Sequence, residues 1–316
     1  MKVGTITIDP VLDGRILSKL PANKPLPEPP SQAWLDQHGM FLDDGRIEST
    51  VGGFLVRTGD RLALVDAGSG PSFASGYAPP TIDFDDPDDE ALARLRSFGM
   101  DDASIQRVAD GFADTHAEQG ALPASLAVLG VRPEEITDVI ATHLHYDHIG
   151  WTSIDGEAFF PNATIRCASA DLDHFLADPP EEFFTSWVFK APTASERLTP
   201  VLDRIETWEG DGTLFPGVDV RLAPGHTPGS SVVVVSDGGA KAMLLGDMVH
   251  CPLELMDDDF DLLVDYDQEA AIRVREAYAR ELEGTDVLAS ASHFPGLEFG
   301  RLLPADGVRR WVFEGS

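Results

Sequence analysis

Six consecutive residues, His143-Leu-His145-Tyr-Asp147-His148, restrict this chain more than any other feature. Three imidazoles and a carboxylate in one hexad make a dense set of metal donors. The hexad follows Asp138–Thr142 (DVIAT), a short apolar run that reads as a buried strand. In an extended loop, histidines two apart can converge on one ion. The adjacent pair Asp147–His148 then points elsewhere, to a second ion.

Three more loops follow strand-like runs. Pro224-Gly225-His226-Thr227-Pro228-Gly229 follows Val218–Ala223, and its glycines and prolines make a rigid turn that fixes one imidazole. Leu245-Gly246-Asp247 puts a carboxylate at the end of an apolar strand. Ser290-Ala291-Ser292-His293-Phe294-Pro295 follows Asp286–Ser290, read as the last strand. Five of the nine histidines thus sit in three strand-end loops, which argues against scattered core or surface histidines. Imidazole and carboxylate without thiolate suit zinc, manganese, iron or cobalt.

The surrounding pattern mixes hairpins with strand–helix alternation. Residues 51–66 read as a hairpin turning at Gly59–Asp60, and Ser231–Ser236 with Lys241–Leu245 as another across Asp237-Gly238-Gly239. Helices are expected over Leu122–Leu129, from Ser169, over Thr193–Thr207 with a break at Pro200, and over Gln268–Leu282. Residues 71–118 are acidic, with helical patterns near Asp88–Phe98 and Asp102–Phe112. They read as an insertion or cap on a single domain spanning 1–316. The fold class expected is α+β, a sandwich of two mixed sheets with outer helices.

The chain carries 54 acidic and 23 basic residues, a net charge of −31. Such a field repels nucleic acid and anionic membranes, so the expected partner is a small-molecule substrate. A homodimer stays open. The start, MKVGTITIDPVLDGRI, alternates like a strand and lacks a basic-then-apolar signal, and no apolar run suits a membrane helix. A cytoplasmic protein is expected. The run Asp83, Asp85, Asp86, Asp88, Asp89 and Glu90 has neither histidines nor calcium-loop spacing. Cys167 and Cys251 lack CxxC spacing and read as inert, partly buried thiols.

The hexad, Gly225–His226, Asp247 and His293 together resemble the ligand pattern of the metallo-β-lactamase-fold superfamily. The intervals match it too: 78 residues from His148 to His226, 21 to Asp247 and 46 to His293. The resemblance runs from the Val51–Gly68 hairpin to His293, about three quarters of the chain. It implies an αβ/βα sandwich with two divalent ions, zinc first, at one edge between the sheets. It implies that His143, His145 and His226 bind one ion, that Asp147, His148 and His293 bind the other, and that Asp247 bridges them. Asp66 matches a strand-end aspartate that supports the site without holding metal. Two cations lower the pKa of a bridging water to near neutrality, and the hydroxide attacks a carbonyl or phosphoryl centre. Asp147 or Asp247 would relay the proton.

Within the superfamily, Asp247 argues against the antibiotic-degrading branch, and His145, not being glutamate, against the flavodiiron pattern. The net charge argues against nucleases. The C-terminal stretch lacks a clear glutathione-pocket signature. The remaining likeness is to lactonases and organophosphate hydrolases, including the acyl-homoserine lactonases and methyl-parathion-hydrolase-like enzymes. The homoserine lactonases usually carry tyrosine three residues after the bridging aspartate. This chain has His250, which can donate to a substrate carbonyl. Phe183, Phe184, Trp187 and Phe189 read as core or as an apolar pocket wall. His38, His116 and His174 read as surface or structural residues. The expected function is a dinuclear hydrolase of a lactone, ester or related neutral substrate. The alternatives are a phosphotriester hydrolase or an iron-dependent sulfur dioxygenase on the same fold.

Overall fold

Four valines run unbroken through the strand Ser231–Asp237, and alternate ones face opposite ways. Val233 and Val235 enter an apolar layer between two sheets; Val232 and Val234 enter a layer behind the second. The strand Arg61–Val65 obeys the same period. Ala63 and Val65 face the other sheet, and Leu64 faces a layer of helices. Strands buried on both faces need this continuous apolar character.

The computed structural model describes residues 1–18, 46–71, 82–86, 88–97, 99–112, 115–179, 182, 185–186, 189–257, 260–262, 264–305 and 308–314. The first sheet runs, in spatial order, Lys2–Val3, Ile6–Ser18, Ile47–Thr58, Arg61–Val65, Asp138–Ile140, Thr164–Ala168 and Ile205–Trp208. His116–Glu118 pairs with Ile6–Ser18. The second runs Gly212–Phe215, Val218–Leu222, Ser231–Asp237, Ala240–Leu244, Leu288–Ser290, Gly300–Ala305 and Val308–Phe313. Both are mixed: each carries antiparallel hairpins, with parallel pairs such as Arg61–Val65 with Asp138–Ile140 and Ala240–Leu244 with Leu288–Ser290.

Helices cover the outer faces. Leu122 and Leu126, Phe175 and Leu198 pack on the first sheet, and Tyr278, Ala279 and Leu282 on the second. This is the αβ/βα sandwich expected. Among the described residues no helix is long and apolar enough to cross a membrane.

Two expectations need correction. The helix expected over Thr193–Thr207 is Ala194–Leu198, capped by Thr193 and Glu196, then a 3₁₀ stretch Thr199–Arg204. Pro200 cannot donate a helical hydrogen bond, and the chain leaves the helix there. Ile205–Trp208 then adds a strand beside Thr164–Ala168. Nor is the strand before His293 the last, since Gly300–Ala305 and Val308–Phe313 form a hairpin after it.

The acidic stretch has a local explanation. Asp89 accepts from the Leu92 amide at 2.8 Å and from the Asp83 amide at 3.0 Å, while Asp83 and Asp86 accept from amides two residues on. These carboxylates close turns at the start of the helix Glu90–Ser97. That helix and Asp102–Phe112 share a small cluster of Leu92, Leu95 and Ile105.

Candidate metal centre

Five strands end at one edge of the sandwich. Arg61–Val65 runs into Asp66, Asp138–Ile140 into His143, Val218–Leu222 into His226, Ala240–Leu244 into Asp247, and Leu288–Ser290 into His293. Asp247 lies at the centre. Its Oδ2 is 3.0 Å from His293 Nε2, 3.3 Å from His148 Nε2, 3.5 Å from His250 Nε2, 3.7 Å from His226 Nε2 and 3.8 Å from His143 Nε2.

Two donor groups flank it. His143 Nε2 and His226 Nε2 each lie 2.9 Å from His145 Nδ1. Asp147 Oδ2 lies 3.5 Å from His293 Nε2, and its Oδ1 3.8 Å from His148 Nε2. His226 and Asp247 also form a group with His250. All seven residues implied as ligands are therefore brought together, with His250 against them.

The donor set fits divalent cations. Converging imidazole nitrogens repel unless a proton or a cation lies between them, and His145 Nδ1 can donate to one neighbour only. Their 2.9 Å spacing is near the ~3.3 Å between corners of a tetrahedron with Zn–N of about 2.0–2.1 Å. Asp247 Oδ1 is buried with no hydrogen-bond partner among the described residues.

The far nitrogens are anchored. His293 Nδ1 donates to the Thr50 carbonyl at 2.8 Å, His148 Nδ1 lies 3.0 Å from Asp66, His226 Nδ1 lies 3.0 Å from Asp265, and His143 Nδ1 lies 3.3 Å from the Thr142 hydroxyl. Such partners aim the other ring nitrogen inward. Asp66 joins three of the strand-end loops. It accepts from the Thr142 amide at 2.8 Å and the Ser292 hydroxyl at 2.7 Å, and it faces His148.

The loop 224–229 is rigid for reasons beyond its prolines. Asp171 accepts from the Thr227 hydroxyl at 2.9 Å and the Gly229 amide at 2.5 Å. A Cβ on Gly229 would lie 2.7 Å from the Asp171 amide, so the close approach requires glycine.

The electrostatics split the imidazoles. Burial, then the neighbouring imidazoles, hold His143, His145 and His226 well below the usual range, in the neutral form a ligand needs. Burial also disfavours charge on His148 and His293, but Asp247 and its neighbours prevail and raise both. His250 is pushed up to about 9, against burial, by Asp247 and Glu254. Burial would raise Asp247, yet the imidazoles around it hold it well below the carboxylate range.

Cys167 and Cys251 are both buried, and burial pushes the Cys167 thiol up to about 12. Phe175, fully buried, meets His145 edge-on at 5.3 Å and backs the centre from the core, while Phe189 stacks on Tyr146 at 4.8 Å in a separate cluster. Phe183, Phe184, Trp187 and His38 lie outside the described residues. His116 is exposed, and His174 packs against Tyr266 at 4.9 Å.

Sequence reasoning missed Asp265, Glu254 and Arg275, buried behind His226 and His250. One signal was available. The buried stripe of Gln268–Leu282 is Ala271, Arg275, Tyr278, Ala279 and Leu282, so a charge sits on an apolar face.

A family model described as the Metallo-beta-lactamase superfamily matches residues 53–293. An N-acyl homoserine lactonase of Bacillus cereus is 25% identical over 168 residues, covering 52% of this chain and 60% of that protein. Another from Bacillus sp is 28% identical over 117 residues, 37% of this chain and 40% of that one. The chain thus matches under two thirds of the length of these relatives. Among solved structures, AidC, a dizinc quorum-quenching lactonase in complex with a product, aligns at TM-score 0.71 and 22% identity, covering 100% of this chain and 97% of that one. The hydrolase AbOPH aligns at TM-score 0.74 and 22% identity, over 99% and 95%.

Proposed function

The chain belongs to the metallo-β-lactamase superfamily, and from that premise we propose that it is a dinuclear metal-dependent hydrolase of lactones or other neutral esters. One observation carries the reading: a single Asp247 oxygen lies within 3.8 Å of five imidazole nitrogens, with a donor group on either side. His143, His145 and His226 would hold one divalent ion, Asp147, His148 and His293 the other, and Asp247 would lie between them. Zinc is the first choice of metal. When bound, the ions supply a water acidic near neutral pH and positive charge against a developing oxyanion.

The chain's own residues do the rest. Asp147 takes the proton of the attacking water and hands it to the leaving oxygen. His250 Nε2, directed at the centre, donates to the substrate carbonyl. The charge of −31 disfavours polyanions. The homoserine-lactonase names of the Bacillus relatives support a lactone as the first substrate to test.

The test joins elemental analysis to kcat/KM on an acyl lactone, an aryl ester, a phosphotriester and a nucleotide phosphodiester, at low and high salt. Near two ions per chain and a preference for the lactone or ester are expected. A single tightly held ion ends the dinuclear reading. Preference for the phosphodiester at both salts ends the substrate assignment. His250→Ala should lower kcat/KM by about 1–3 kcal/mol with metal content intact. If it loses an ion instead, His250 is a ligand.

A further inference from the structure

We propose that Arg275 is a positioning residue for this centre, fixing His226 and His250 through two buried carboxylates. Its guanidinium reaches four groups. Nη2 donates to Asp265 Oδ2 at 2.9 Å, Nη1 lies 3.5 Å from Glu254 Oε1 and donates to Asp261, and Nε donates to the Met248 carbonyl at 3.1 Å. Arg275 is itself 3% exposed.

Each contact leads to the centre. The other oxygen of Asp265 lies 3.0 Å from His226 Nδ1. Glu254 Oε2 accepts from the His250 amide at 2.7 Å and lies 3.6 Å from His250 Nδ1. The Met248 carbonyl follows Asp247 directly in the chain. One side chain therefore bears on His226, Asp247 and His250, the residues that form a donor group together.

A guanidinium suits this role because its donors are fixed in a planar fork; an ammonium has no such geometry. Asp265, held from behind, makes Nδ1 of His226 the protonated nitrogen and leaves the Nε2 lone pair facing His145. His143 and His293 have neutral partners at this position, the Thr142 hydroxyl and the Thr50 carbonyl. Only His148, facing Asp66, is likewise backed by a carboxylate among the described ligands.

The inference rests on the metal reading above, and the test separates the two. Zinc stoichiometry and chelator competition are measured on wild type, Asp265→Asn, Arg275→Lys and the exposed control Arg273→Lys. In parallel, nitrogen NMR of the imidazoles follows the His226 tautomer in zinc-free protein. Asp265→Asn and Arg275→Lys should each weaken one zinc by about 10- to 100-fold and leave the other as in wild type. Asp265→Glu should recover part of that loss, and Arg273→Lys should match wild type. In zinc-free Asp265→Asn, His226 should change from one tautomer to a mixture. Wild-type affinity for both ions in both variants, or parallel loss of both with a lower Tm, overturns the positioning role. A wild type that takes up no zinc removes the metal reading, and the His226 tautomer then decides the inference: no change in Asp265→Asn overturns it.

Discussion

Asp147 sits in the first turn of the short helix Tyr146–Ile149, its carboxylate 3.5 Å from His293 and 3.8 Å from His148. In the proposed reaction that position would let one residue both hold an ion and move a proton. Asp147→Asn keeps the size and removes charge and basicity. Turnover should fall by at least about a hundredfold, the lower end for a positioned acid–base group. The measurement is kcat at full metal loading, and near-normal turnover would assign proton movement to another group. Burial pushes both cysteine thiols up, which disfavours thiolate chemistry there.

Among the elements, the turn after Ala240–Leu244 is tightly constrained. Gly246 has φ +55°, and a Cβ there would lie 2.7 Å from Cβ and Oγ1 of Thr142. Thr142 cannot yield freely, because its hydroxyl and amide both donate to Asp66. The turn thus locks the Asp247 loop against the His143 loop. Gly246→Ala should cost about 1–3 kcal/mol through backbone strain, and it should loosen metal binding by moving Asp247. Urea denaturation of the metal-free protein reads the first effect and elemental analysis the second. A stability change under about 0.5 kcal/mol, within the range of ordinary surface substitutions, would contradict the strain argument.

At the scale of the whole molecule, a net charge of −31 means that the folded chain repels itself. Salt screens exposed charges beyond about 10 Å at 0.1 M and more closely at higher concentration. Tm of the metal-free protein should therefore rise from dilute buffer to molar sodium chloride. A flat or falling Tm would show that the acids are already compensated by local pairing, as Arg15 with Glu118 and Arg96 with Asp102 are. The same field disfavours approach of anionic substrates, so any turnover of the phosphodiester should rise with salt.

The sandwich and the donor residues were legible in the amino-acid sequence for a simple reason. Apolar runs at strand period mark layers, and metal donors cluster in the short loops where strands end. His143, His145, Asp147 and His148 are contiguous, so their convergence needs no long-range knowledge. Helix Gln268–Leu282 was readable from its composition; that the Asp267 side chain caps it came from the structure. Ile205–Trp208 was not, because its pairing with Thr164–Ala168 outweighs a helical reading of four residues. Gly300–Ala305 and Val308–Phe313 likewise depend on pairing with each other and on Leu288–Ser290. Tertiary structure alone decided what stands behind the donors. Glu254, Asp265 and Arg275 share no motif or common element, and only packing of the Gln268–Leu282 helix against the second sheet brings a guanidinium to both carboxylates. Ligand identity is a local property of residue type, whereas ligand orientation depends on contacts between distant parts of the chain.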